Sequence, residues 1–157
     1  MRRKISVLAG AMLVVAGCGD DDAPSTPGAC LAPASSYLEA LRAAPDEVTL
    51  ADTTPIGGCI VDEQEAGELS QVGQAMVAAA TKLNAEVRRT SDEAAMVQLG
   101  YLVGAAQEAA SGTSGIHEDL TLRLDAAANF TPSGDPFPAR FEGAFGEGYV
   151  AGQRDAQ

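Results

Sequence analysis

The sequence predicts an all-α fold, a small bundle of about four main helices preceded by a short one. Three observations carry that prediction. Apolar residues recur at spacings of three and four, with Leu69, Val72, Met76, Ala79, Leu83 and Val87 as the longest such stripe. Helix-start signals, a hydroxyl or acid followed by more acids, appear at Ser36–Glu39, Asp62–Glu65 and Thr90–Glu93. The chain has no tryptophan and only 4% aromatic residues, so its core must be built from Ala, Val, Leu and Met in close helix contact.

Taken in order, Ser36 and Glu39 form a capping box that opens a short helix. It runs through Leu41 and stops near Ala44, because Pro45 disfavours helix in the residue before it. Tyr37, Leu38 and Leu41 make its buried face. Residues 45–60 lack a helical period and read as a loop punctuated by Thr54-Pro55 and Gly57-Gly58, with Val48, Thr49 and Leu50 briefly extended. The next helix starts at Asp62–Glu65, with acids in its first turn and Lys82, Arg88 and Arg89 toward its end, as the helix dipole favours.

Thr90–Glu93 opens a helix to about Ser111 that is apolar around most of its girth, which places it in the middle of the bundle. Gly100 and Gly104 clear one of its faces for a close neighbour. Residues 112–115 form a Gly/Ser hinge, and a helix follows from Ile116 to about Asn129 with Ile116, Leu120, Leu124 and Ala127 on one face. After a Pro/Gly loop, Pro138 suits the first turn of a last helix through about Arg154. Phe141, Phe145 and Tyr149 line one stripe of it, and Ala144, Gly148 and Gly152 an adjacent one. Glycine costs about 1 kcal/mol relative to alanine inside a helix. Close packing is the expected reason for Gly143, Gly146, Gly148 and Gly152.

The first residues have a different character. Arg2, Arg3 and Lys4 precede an uncharged apolar run from Ile5 to Val15, and Val15-Ala16-Gly17-Cys18 closes it. The run is too short to cross a membrane, which takes roughly 20 apolar residues, and it has the form of a secretory leader. With a cysteine where the mature chain would begin, the stretch resembles the lipobox leader of bacterial lipoproteins. That resemblance covers the leader alone. It implies removal of residues 1–17, diacylation of Cys18, and a membrane-anchored protein on the extracytoplasmic side. Residues 18–29, with Asp20-Asp21-Asp22, Pro24, Pro27 and no large apolar side chain, then read as an acidic tether. Residues 30–157 form the helical domain.

With Cys18 assigned to lipid, Cys30 and Cys59 remain, and an even pair in an exported protein reads as a disulfide. The alternatives are two free thiols or a metal site, and one histidine with no second cysteine cluster supports the metal site poorly. The formal net charge is -12, and with three basic side chains in the leader the remainder carries -15. A surface this acidic repels nucleic acid and anionic headgroups, so anchoring falls to the acyl chains.

No motif dictates a chemistry. His117-Glu118-Asp119 holds the one histidine, but consecutive helical residues point in different directions. The expectation is a surface or interface histidine. Glu108 and Glu118 have no spacing that singles them out as an acid–base pair. Residues 111–115 lack the Gly-Lys-Ser/Thr ending of a nucleotide loop. No catalytic residue, metal or cofactor is expected. The expected role is that of a cell-envelope lipoprotein that binds or positions a partner, with Phe141, Phe145 and Tyr149 as the partner-binding strip. The alternative is a small-molecule or lipid binder with an apolar pocket between helices.

Overall fold

The computed structural model describes residues 25–129 and 139–157. The leader, Cys18, most of the tether and the Pro/Gly loop ending in Pro138 lie outside the described residues. The fold is a small helical bundle: α1 (Ala34–Ala40), α2 (Ala66–Thr90), α3 (Glu93–Ser111), α4 (Glu118–Asn129) and α5 (Glu142–Asp155), with a minimal antiparallel hairpin, β1 (Thr49–Leu50) and β2 (Thr54–Pro55), between α1 and α2.

α3 is the central helix. Met96, Leu99, Tyr101, Leu102, Val103 and Ala106 are all buried, although they point in every direction around its axis. It contacts α2, α4 and, most extensively, α5. The contact with α5 is backbone against backbone. Gly100 and Gly104 face Phe145 and Tyr149, while Gly148 and Gly152 face Val97 and Tyr101. The pairing advances in the same direction along both helices, so α3 and α5 run parallel. A methyl group on any of these four glycines would overlap a carbonyl oxygen of the facing helix. The other two glycines of α5, Gly143 and Gly146, have nothing within 4 Å of a built Cβ. Close packing therefore explains half of the glycines in α5, and the structure offers no account of the rest.

Helix starts differ from the sequence expectation where tertiary contacts compete. α1 begins after Pro33, so Ser36 lies inside the helix and no side chain caps it. α2 begins at Ala66 rather than near Asp62, because Gln64 turns its amide into the interior and Glu63 takes a left-handed conformation, φ 57°. The third signal acts as read: Asp92 caps α3 by accepting from Ala94 N at 2.9 Å. α2 ends on Ser91 at φ 58°, whose N–H returns to Val87 O. α4 begins at Glu118, two residues later than expected, which leaves Ile116 exposed.

The long segment after α1 is part of the core. Val48, Leu50, Ile56 and Ile60 are buried. The Cys30–Cys59 disulfide, Cα–Cα 5.3 Å, closes the segment at its far end. Tyr37 donates its hydroxyl to Cys30 O at 2.7 Å. Tyr101 of α3 ties the same segment to the C-terminus. Its hydroxyl accepts from Val48 N and donates to Asp155 Oδ2, each at 3.0 Å, and burial pushes the phenol up to about 12.

Candidate functional site

Among the described residues two places combine polar groups with an unusual environment: a sealed network around His117, and an open groove between α2 and α4.

Of the surface and interface positions expected for His117, the structure gives a fully buried one. It is accommodated because both ring nitrogens have partners. Gln64 donates from Nε2 to Thr26 Oγ1 (2.7 Å) and to Cys59 O (3.1 Å), which turns its Oε1 toward His117 Nε2 at 2.9 Å. That ring nitrogen therefore donates. His117 Nδ1 lies 3.1 Å from Thr113 Oγ1, which also lies 2.7 Å from Ala110 O. A hydroxyl has one proton, so Thr113 donates either to the ring or to the carbonyl. One imidazole thus joins residue 26, the disulfide loop, and the turn between α3 and α4.

Burial holds the His117 pKa below its ordinary value, and the Asp62 carboxylate opposes this with the smaller effect. The unfolded chain therefore binds the histidine proton at a higher pH than the native protein does. The stability from keeping the ring neutral is present above the unfolded value of about 6.5 and is lost as pH falls through the folded value. We expect the urea midpoint of the protein to fall on acidification from about pH 7 to about pH 5. His117→Gln should flatten that slope. Equal slopes for the two proteins would show that the ring does not titrate differently on unfolding.

The groove is built differently. It is open, about 730 Å³, and lined by Thr81, Asn84, Ala85, Arg88 and Arg89 of α2 and by Ala126 and Ala127 of α4. Its floor is apolar because small side chains meet where the two helices cross. Thr81 donates to Val77 O at 2.8 Å. Asn84, nearly buried, donates to Ala127 O at 3.0 Å and Ala128 O at 2.6 Å, carbonyls in the last turn of α4. Its Oδ1 accepts from Arg88 Nε at 2.8 Å, which orients the guanidinium. Arg89 pairs with Glu86. A second hollow of about 540 Å³, beside α1, is lined by Ser35, Ser36, Glu39, Glu47 and Asp52 among others and is the more polar of the two.

The sequence-nominated residues fall in several places. Cys30 and Cys59 are bonded to each other. Cys18 lies outside the described residues. Phe141 is buried, 3% exposed, under the start of α5. Phe145 and Tyr149 are half-buried and stacked at 6.1 Å, and Tyr149 donates to Gln107 Oε1 at 2.7 Å. Among the described residues the larger exposed apolar side chains are Leu122, Val150 and Ile116, on other faces. Among the described residues no three His, Cys, Asp or Glu side chains gather into a metal-ligating group. None of the described helices is long and apolar enough to cross a membrane.

Sequence reasoning missed the groove. Its lining has no motif, only alanines that a helical pattern leaves unremarked and two arginines that read as dipole complements. The available signal was the adjacent Arg88-Arg89 pair in an acidic chain. Comparison of the chain with family models, curated proteins and solved structures finds no match.

Proposed function

We propose that this protein is a non-catalytic, lipid-anchored binding module of the cell envelope, and that the groove between α2 and α4 is its binding face. One observation carries the reading: an open apolar groove of about 730 Å³ flanked by Arg88 and Arg89, in a molecule whose one histidine is fully buried with both nitrogens engaged. The volume lies within the range of small-ligand sites, about 300–1,000 Å³. That favours the ligand-binding form of the module over the aromatic strip as a partner-docking surface, since Phe141 is already buried in the core. The anchor in this reading is acylated Cys18, which stands seven residues before the first described residue, Ser25.

Both halves of the reading have direct tests. The wild-type protein is expected in the detergent phase of a phase partition, and Cys18→Ala in the aqueous phase. Detergent-phase retention of Cys18→Ala would remove the anchor. For the groove, a photoreactive amino acid placed at Ala85 is expected to give adducts in native membranes. The same group placed at Val150, on an exposed face of α5, should give none. Absence of an adduct at position 85 would remove the binding face.

A further inference from the structure

We infer that Thr26, Gln64 and His117 form a proton-operated latch, which holds residues 25–29 on the domain at neutral pH and frees them when the imidazole is protonated. The latch goes beyond the groove and does not depend on it.

The segment is held where its composition gives little reason for it to be. Ser25, Pro27 and Gly28 have almost nothing to bury, and Ser25 and Gly28 are exposed. Thr26 between them is only 7% exposed. Among the described residues, the side-chain hydrogen bond that fastens it comes from Gln64 Nε2. Gln64 makes that bond because its amide is fixed on both sides: Oε1 accepts from His117 Nε2, and Nε2 also reaches Cys59 O. One glutamine thus connects the N-terminal segment to one ring.

Protonation of the ring breaks none of these hydrogen bonds. Thr113 Oγ1 can accept from Nδ1–H while donating to Ala110 O, so both nitrogens of the imidazolium have acceptors. What the charge lacks is water, because the ring is fully buried. Water enters at least cost where the enclosing structure is weakest. Cys59 is fixed by the disulfide. Thr113 is held to the end of α3 through Ala110 O. His117 O already accepts from Thr121 N at 3.0 Å in the first turn of α4. Residues 25–29 lie ahead of Cys30, outside the disulfide loop. They can leave for the loss of the Thr26 bond and of one turn bond, Cys30 N to Pro27 O at 2.9 Å. Their departure opens the Gln64 amide, and the ring behind it, to solvent.

The charges around the ring set the direction. Asp62, on the segment before α2, is the carboxylate that acts on it; it favours the protonated form, against the larger effect of burial. Glu63 and Glu65 beside it, Glu68 at the start of α2, Glu108 near the end of α3, and Glu118, Asp119 and Arg123 of α4 sit at exposed or half-exposed positions. Residues 25–31 and 57–59 carry no charged side chain. Burial therefore keeps the ring neutral and the latch closed until the pH falls below the ordinary histidine value of about 6.5. In the anchored reading of the protein, the freed residues lengthen the tether by about 17 Å of extended chain.

The test is a nuclear magnetic resonance titration of the isotope-labelled full chain bearing Cys18→Ala, from about pH 7.5 to about pH 4.5. The single histidine makes the imidazole signals unambiguous. The heteronuclear NOE of the Thr26 and Gly28 amides reports the segment, and that of Leu102, buried in α3, reports the rest of the fold. The ring is expected to titrate below about 6.5, with the NOE at Thr26 and Gly28 lost over the same interval and that at Leu102 unchanged. His117→Gln, which can still meet Gln64 but takes up no proton, should keep Thr26 and Gly28 ordered throughout. Thr26→Val, of the same shape without the acceptor, should free the segment at neutral pH and move the titration of the ring up toward that of an unperturbed histidine. Titration of the ring with Thr26 and Gly28 still ordered would show that Thr113 absorbs the proton, and would overturn the latch. So would a loss of order at acid pH that His117→Gln shares, or a Thr26→Val protein whose ring titrates as before. A ring that stays neutral until Leu102 also loses order would overturn it too. None of these outcomes depends on acylation or on the groove.

Discussion

Gly148→Ala is expected to destabilise the protein by about 4 kcal/mol or more, enough to leave a typical small domain largely unfolded at moderate temperature. A Cβ built at Gly148 lies 2.7 Å from the Val97 carbonyl carbon and 2.9 Å from Tyr101 N. These atoms are backbone, and backbone inside α3 cannot rotate away as a side chain can. The two helices must separate along their whole contact, and the packing around Met96, Tyr101 and Ala151 opens with them. Ordinary overpacking costs about 1–3 kcal/mol because a neighbouring side chain gives way; here nothing flexible stands in between. Gly104→Ala, facing the Tyr149 backbone from the other side, should behave alike. Gly146→Ala is the internal control. Its Cβ would meet nothing within 4 Å, so it should be neutral or stabilising by up to about 1 kcal/mol through helix propensity. Urea denaturation of the three variants decides the matter. Equal effects at positions 146 and 148 would mean that α3 and α5 do not touch through their backbones.

Reduction of the Cys30–Cys59 bond should cost about 3.5 kcal/mol, by the loop-closure entropy of a separation of 29 residues. The melting temperature should fall by about 10 °C for a domain of this size. The structure adds a reason why the loss is not confined to the loop. Both cysteines are fully buried, and their carbonyls are the acceptors for Tyr37 Oη and Gln64 Nε2. Gln64 in turn holds His117. Freeing the segment from 45 to 60 also withdraws Val48 from Tyr101 and exposes Leu50 and Ile56. Cys30→Ala with Cys59→Ala should reproduce the reduced protein. Melting of oxidised and reduced forms at the same temperature would show that packing alone holds the segment.

Much of the architecture was legible in the residues because helix formation is local. The stripe from Leu69 to Val87, the all-round apolar surface of residues 94–106 and the Asp92 cap each follow from spacing and hydrogen-bond capacity within one or two turns. The glycines at 100, 104, 148 and 152 also announced a close approach, since glycine inside a helix is costly without one. Gly143 and Gly146 carry the same letter without the same role, because which side of α5 meets α3 is not written in α5 alone.

By itself the sequence determined the helical class, the positions of the main helices, the pairing of the two cysteines in the domain, and the acidity that governs what can approach. Tertiary structure alone decided three things. It made the one histidine the buried centre of a network, because Gln64 and Thr113, 53 and 4 residues away, reach its two nitrogens. It moved the start of α2 past its acids, because Gln64 has more to gain inside than on a first turn. It made a groove from Ala85 and Ala126, small side chains that mean nothing singly and become a surface only where two helices cross. Each of these depends on which groups meet across the bundle, and no local period records that.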